Sequence, residues 1–75
     1  MEDDVLDLSG LKCPLPALMA RRTLARLAPG ACITVIASDP LAVVDIPHMC
    51  NEEGHTVESV TKQEGRNAFR IRRRS

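Results

Sequence analysis

The chain has 75 residues, and its ten basic side chains balance its ten acidic ones. This length suits one small domain with a single core, and that core must be largely aliphatic because Phe69 is the only aromatic residue. No apolar run is long enough for a membrane span and the acidic start is unlike a signal peptide, so we expect a cytoplasmic protein without direct membrane contact. We expect one domain over residues 1–75, with an acidic tail at 1–4 and a basic tail at 73–75.

Three cysteines, at positions 13, 32 and 50, form an odd set without a repeated spacing. Such a set predicts free thiols in a reducing compartment and argues against a disulfide framework. Cys32 lies in an apolar segment and Cys50 lies beside an apolar helical stripe. Because free cysteine commonly behaves as a small buried hydrophobe, we expect both to be structural.

The first half of the chain predicts a strand, a helix and a second strand. Residues 5–8 alternate as a short strand and Ser9-Gly10 ends it. A helix over residues 14–28 ends at Pro29-Gly30, and its apolar positions recur at helical spacing. These positions are Ala17, Ala20, Leu24, Leu27 and Ala28. Residues 31–37 are rich in β-branched side chains, which predicts a buried central strand.

The second half predicts a helix followed by a hairpin. The helix spans residues 40–53, with Asp39 or Ser38 as its N-cap and Gly54 after its end, and Pro47 inside it predicts a kink or a lost hydrogen bond. Its predicted apolar stripe consists of Val43, Ile46 and either Met49 or Cys50.

Two strands complete the predicted fold. Residues 55–63 predict an edge strand or a bulge, because Val57 and Val60 are out of phase for strict alternation. After a turn at 64–67, the last strand at 68–72 places Phe69 and Ile71 inward. The order βαβαββ predicts an α+β two-layer sandwich, with a four-stranded mixed sheet and both helices on one face.

Cys13 stands between the first strand and the first helix, at or next to the helix N-cap. Pro14 and Pro16 suit a first helical turn, where backbone N–H groups have no intrahelical partner. The positive end of the helix dipole and the charge of Lys12 predict a lowered pKa and an exposed, nucleophilic thiol. We expect Gly10 to permit the tight approach from the strand.

Other uses of these residues fit the sequence less well. His48, Cys50 and His55 match no zinc-ligand spacing with Cys13, so no metal is expected. A nucleophilic pair between Cys13 and a histidine stays open, since the sequence cannot show whether the two approach each other.

The motif Gly-Leu-Lys-Cys-Pro-Leu-Pro at residues 10–16 resembles the Cys-Pro-x-Pro signature of the TusA, or SirA-like, sulfur carrier proteins. Asp39-Pro40 and Asp45-Ile46-Pro47 resemble the second helix of that family. The resemblance implies that Cys13 accepts a sulfane sulfur as a persulfide and passes it to an acceptor protein, without a cofactor. It implies a sulfurtransferase-type carrier and not a stand-alone enzyme.

The resemblance also implies protein partners. The donor would be a cysteine desulfurase or a rhodanese-like protein, and the acceptor would supply the second cysteine. Family roles include tRNA thiolation, sulfur delivery toward molybdenum cofactor chemistry and sulfur oxidation. We expect a monomer whose docking surface near Cys13 comprises Leu11, Leu15, Met19, Arg21 and Arg22.

Two alternative functions are a thiol redox sensor based on Cys13 and a module that binds RNA or a regulatory protein through basic residues. The basic residues are Arg66, Arg70, Arg72, Arg73 and Arg74. No aromatic residue is interleaved among them for base stacking, which argues against direct nucleic-acid binding.

Overall fold

The computed structural model describes residues 4–75. Its elements, in chain order, are β1 (Asp4–Asp7), α1 (Leu15–Arg26), β2 (Cys32–Ala37), α2 (Ala42–Glu53), β3 (Thr56–Gln63) and β4 (Arg66–Arg72). The predicted order βαβαββ is confirmed.

The four strands form one mixed sheet in the order β1-β2-β4-β3. β1 runs parallel to β2, while β4 is antiparallel to both β2 and β3. Parallel neighbours need a crossover connection, and α1 supplies it between β1 and β2. α1 also packs against α2, so both helices cover the same face of the sheet, as predicted.

The core lies between this sheet face and the two helices. Ile33 and Val35 of β2 alternate inward and meet Phe69 of β4, and all three side chains are fully buried. Leu24 of α1 and Ile46 of α2 close the core from the helical side. Phe69 fills the centre because it is directly opposite Val35 in the register.

The edge strand β3 contains the predicted bulge. Val57 is opposite Ile71 and Val60 is opposite Phe69, with the register shift between Val57 and Ser59. Two residues three apart would face opposite sides of a regular strand, and the extra residue Glu58 restores both valines to one side. The irregular spacing of the valines therefore has a structural cause.

The helix boundaries differ slightly from those predicted. α1 is shorter at both ends than residues 14–28, and Ala28 is exposed. α2 begins at Ala42 and not at Pro40, because the Ala42 N–H donates to the Asp39 carbonyl and closes a turn first. The helix continues through Pro47 and ends at Gly54, which takes the predicted left-handed conformation with φ of +82°.

One predicted core position was wrong. Val43 is 45% exposed, and Ala42 instead faces the core together with Ile46, Met49 and Cys50. These four residues recur at i, i+4, i+7 and i+8, which is the spacing of one helical face. Met49 and Cys50, which the sequence offered as alternatives, both belong to the buried stripe.

Both predicted tails include residues that belong to the folded domain. Asp4 opens β1, and residues 1–3 lie outside the described part of the chain. Arg73 donates its backbone N–H to Ala31 at 2.8 Å and its Nε to the Leu24 carbonyl at 2.8 Å. Arg74 donates its backbone N–H to His55 Nδ1 at 3.1 Å, so residues 73 and 74 are held against the domain.

The single aromatic side chain gives a direct test of the core. Phe69→Ala should lower the free energy of unfolding by about 3–5 kcal/mol, because it deletes the largest fully buried side chain. Urea denaturation followed by circular dichroism measures this loss, and Phe69→Leu provides a milder variant if the alanine variant does not fold. Val5→Ala, at a side chain that is 61% exposed, should change stability by less than about 0.5 kcal/mol. Equal effects at positions 5 and 69 would contradict this packing.

Candidate functional site

Cys13 is exposed and directly precedes Pro14, the N-cap of α1. Pro16 occupies the first turn of the helix, where its missing N–H costs no intrahelical bond, and its ring is buried. The Cys13–Pro14 peptide bond is cis. Both the exposure of the thiol and its place next to the N-cap agree with the prediction.

Gly10 shapes this connection through its backbone and not through a close contact. Its φ is +88°, a conformation that other residues rarely adopt, and a Cβ there would meet no heavy atom within 4 Å. The expectation that Gly10 permits a tight approach was therefore wrong, because no neighbouring atom lies close enough to require a glycine there. The glycine is needed for the turn that leads from β1 to Cys13.

The Cys13 segment is tied to the corner between β2 and α2. The Gly10 N–H donates to Ser38 Oγ at 2.7 Å, and the Cys13 N–H donates to Asp39 Oδ2. The other carboxylate oxygen of Asp39 accepts the Leu41 N–H at 3.0 Å. One carboxylate thus fixes both the backbone at Cys13 and the turn that starts α2.

A second carboxylate contacts the sulfur itself. Cys13 Sγ donates to Asp45 Oδ2 at 2.8 Å. This hydrogen bond, with partial desolvation and the negative charges of Asp45 and Asp39, raises the pKa of Cys13 above its ordinary value. The predicted lowering of this pKa was wrong, because the fold places two carboxylates near a thiol that the sequence places beside a helix N-terminus and a lysine.

Lys12 acts on a different group from the one predicted. The pKa of Asp39 is lowered mainly by its hydrogen bonds from Leu41 and Cys13, and the charge of Lys12 adds to this effect. Lys12 therefore supports the carboxylate that holds the Cys13 backbone. The raised pKa of Cys13 favours its thiol form, hydrogen-bonded to Asp45.

A groove of about 350 Å³ lies between α1 and α2 with Cys13 and Asp45 in its wall. Leu18 and Arg21 of α1 line one side, and His48 lines the other. His48 Nε2 pairs with Glu52 at 2.8 Å, one helical turn further along α2. The thiol therefore opens onto a surface with both apolar and charged groups.

Only one of the predicted docking residues lines this groove. Arg21 does so, while Leu15, Met19 and Arg22 line a neighbouring depression along α1 that Arg21 also borders. Leu11 is half-buried and packs against the core. Leu18 was missed although it is 48% exposed, because the helical periodicity identifies the buried stripe and does not rank the exposed positions.

The other two cysteines differ from each other. Cys50 is buried, as predicted, and desolvation raises its pKa to about 11. Cys32 is only half-buried, because it alternates with Ile33 and points to the sheet face without helices, where its Sγ is 3.7 Å from Glu58 Oε1. That face of β2 is only partly covered, so Cys32 is less buried than its place in an apolar segment suggests.

The alternative sites receive little geometric support. Within residues 4–75, no group of three or more His, Cys, Asp or Glu side chains is placed to hold a metal ion. Over the same residues, no helix has the length and apolar character needed to cross a membrane. The carboxylate of Asp45, and not a histidine, is bonded to Cys13. Arg70 and Arg72 both contact Glu58, so two of the clustered arginines are engaged on the sheet face.

Comparisons with known proteins agree on one family. The family model described as Sulfurtransferase TusA matches residues 4–73. The sulfur carrier protein TusA of Pseudomonas paraeruginosa is 37% identical over 97% of this chain and 92% of its own length, and that of Pseudomonas putida is 38% identical over 97% and 91%. The crystal structure of a SirA-like protein from Desulfitobacterium hafniense superposes with a TM-score of 0.81 at 25% identity, covering 95% of this chain and 97% of that one.

Cys13 and Cys50 should differ in their reactivity toward iodoacetamide. Cys13 should react first because it is exposed, but its rate should rise with pH to a midpoint above that of an unperturbed cysteine, at about 8.5. Cys50 should react only in denaturant because it is buried and its pKa is about 11. Peptide mass mapping after alkylation at a series of pH values measures both. A Cys13 midpoint well below 8.5 would contradict the described hydrogen bond to Asp45.

Proposed function

Since the chain belongs to the TusA family and is a sulfur carrier protein, we propose that Cys13 is the residue that carries the sulfur, as a persulfide. The position of the thiol supports this assignment. Cys13 is exposed at the mouth of a groove, in a connection whose backbone is fixed by Asp39 and Ser38. A sulfur carrier needs such a thiol, reachable by two different proteins in turn.

The loading step consumes no oxidant or reductant. The Cys13 sulfur attacks the outer sulfur of a persulfide on the donor, a new sulfur–sulfur bond forms on Cys13, and the bond in the donor breaks. The donor cysteine leaves with the electron pair and takes up the proton that Cys13 released. In delivery, a cysteine of the acceptor attacks the outer sulfur of the Cys13 persulfide, and Cys13 is the leaving group.

The partners follow from this chemistry. We propose a cysteine desulfurase or a rhodanese-like protein as the donor, and an acceptor protein that supplies its own cysteine. The acceptor would lead to tRNA thiolation, molybdenum cofactor chemistry or sulfur oxidation. Three free cysteines support a reducing compartment, and we propose the cytoplasm and a monomeric carrier.

The structure favours a carrier over a redox sensor. A sensor that forms an internal disulfide needs a second thiol near Cys13. Cys50 is buried in the core, and Cys32 points to the sheet face opposite the helices. Cys13 therefore depends on a partner protein for its second sulfur, as a carrier does.

We propose that partners dock on the α1 surface around Cys13, defined by Leu15, Leu18 and Arg21, with Leu11, Met19 and Arg22 at its margin. Leu15 and Leu18 are 46% and 48% exposed, and Arg21 borders the groove that contains the thiol. Exposed leucines beside a reactive group favour burial against a second protein, and the arginines favour an acidic rim on that protein.

Loading can be tested by mass spectrometry. After incubation with a cysteine desulfurase and free cysteine, the wild-type chain should gain the mass of one sulfur atom, and reductant should remove it. Cys13→Ser should gain nothing, while Cys32→Ser and Cys50→Ala should still gain one sulfur, because neither side chain lines the groove. A sulfur adduct of equal yield on Cys13→Ser would overturn the assignment. Disulfide-linked products in place of the persulfide would support the redox sensor.

The docking surface has a matched control on a distant strand. Leu18→Asp should reduce the rate of sulfur transfer from the donor by roughly tenfold or more, as expected when an apolar contact is replaced by a desolvated charge. Val60→Asp on β3, where the side chain is 49% exposed, should leave the rate within about twofold. Loading by inorganic polysulfide, which needs no docking, should be slowed much less by Leu18→Asp than transfer from the donor is. Equal slowing by both substitutions would contradict the location of the surface.

A further inference from the structure

Asp39 and Asp45 contact Cys13 in different ways. Asp39 accepts the backbone N–H of Cys13, whereas Asp45 accepts the thiol proton with its Oδ2 at 2.8 Å from Sγ. Asp45 lies in the first turn of α2, where its backbone N–H donates to the Leu41 carbonyl at 2.9 Å. Its carboxylate is therefore presented by a rigid element and is aimed at the sulfur.

The charges around the sulfur are mostly negative. Asp39 and Asp45 face Cys13 from the β2–α2 corner and from α2, and both disfavour an anion at Cys13. Lys12 acts on Asp39, and Arg21 borders the groove from α1. Further along α2, His48 is paired with Glu52, and Glu53 also lines the groove. The arrangement favours a sulfur that keeps its proton.

This preference matters for a persulfide because its two protonation states react in opposite senses. The neutral form, S–SH, is electrophilic at its outer sulfur and can be attacked by a thiolate. The anion is nucleophilic and repels a thiolate. A hydropersulfide is also a stronger acid than the corresponding thiol, so in water it loses its proton more readily. A carrier that must hand sulfur to a cysteine needs the neutral form.

We propose that Asp45 holds a proton on the persulfide of Cys13 and so presents the carried sulfur as an electrophile to the acceptor. This inference rests on the proposed function of Cys13. The added sulfur would lie about 2.05 Å from Sγ. Rotation about the Cβ–Sγ bond can keep it within reach of the Asp45 carboxylate, which is hydrogen-bonded to Sγ in the unloaded protein. Asp45 contacts the reacting atoms directly and is in this sense a catalytic residue.

In the transfer step, one sulfur–sulfur bond forms, one breaks and one proton moves. The acceptor thiolate attacks the outer sulfur, the sulfur–sulfur bond on Cys13 breaks, and its electron pair stays with Sγ. The proton moves from the outer sulfur through Asp45 to Sγ, and the acceptor keeps a persulfide anion. Cys13 returns to the thiol that the structure shows bonded to Asp45.

Two small reagents of opposite character test the role of Asp45. Cyanide attacks the outer sulfur of a persulfide as a nucleophile and releases thiocyanate, whereas iodoacetamide is attacked by the persulfide anion. The chain is first loaded with inorganic polysulfide, and the Cys13 adduct is quantified by mass. Asp45→Asn should lower the rate of thiocyanate release and raise the rate of alkylation, so that the ratio of the first rate to the second falls about tenfold when the pKa of the persulfide falls by one pH unit.

The controls separate this role from folding and from the proposed function. Glu64→Gln removes an exposed carboxylate in the turn between β3 and β4, outside the groove, and should leave both rates within about twofold of the wild type. Asp45→Glu should restore part of the cyanide rate because it keeps a carboxylate. Failure of Cys13 to accept sulfur would contradict the proposed function. Normal loading followed by rates that change in the same direction, or not at all, in Asp45→Asn would overturn the role of Asp45 alone.

Discussion

The site depends on one carboxylate that joins two connections of the chain. Asp39 accepts the N–H of Cys13 and the N–H of Leu41, and so links the β1–α1 connection to the β2–α2 corner. The two connections meet because β1 and β2 are parallel and adjacent, so both leave the sheet at the same edge. Parallel sheets commonly place their functional groups outside the carboxyl ends of their strands, and Cys13 follows that rule here.

The hydrogen-bond donors and acceptors that reach the Cys13 sulfur decide whether its neutral or its anionic form is favoured. Pro14 and Pro16 have no N–H, the Leu15 N–H donates to the Lys12 carbonyl, and the Cys13 N–H donates to Asp39. The first turn of α1 therefore has few free donors for the sulfur, while a carboxylate of α2 lies within hydrogen-bond distance of it. A direct charged hydrogen bond outweighs the diffuse field of a helix end. This hydrogen bond favours the neutral form of the thiol.

Local patterns predicted the elements well because each has a short-range cause. Gly54 ends α2 by its left-handed conformation, and the out-of-phase Val57 and Val60 indicated the bulge in β3. The site was only half predictable. The prolines identified Cys13, but Asp45 lies 32 positions away and only the fold brings it to the sulfur. The pKa shift of Cys13 that was predicted from its neighbours in sequence therefore had the wrong direction.

The hydrogen bond from Cys13 Sγ to Asp45 Oδ2 favours a sulfur that keeps its proton. The most direct measurement is an NMR titration of the Cys13 Cβ chemical shift, in the wild type and in Asp45→Asn. We expect the wild-type midpoint to lie above that of an ordinary thiol and to fall in the variant. A wild-type midpoint at or below the ordinary value, unchanged by the substitution, would contradict it.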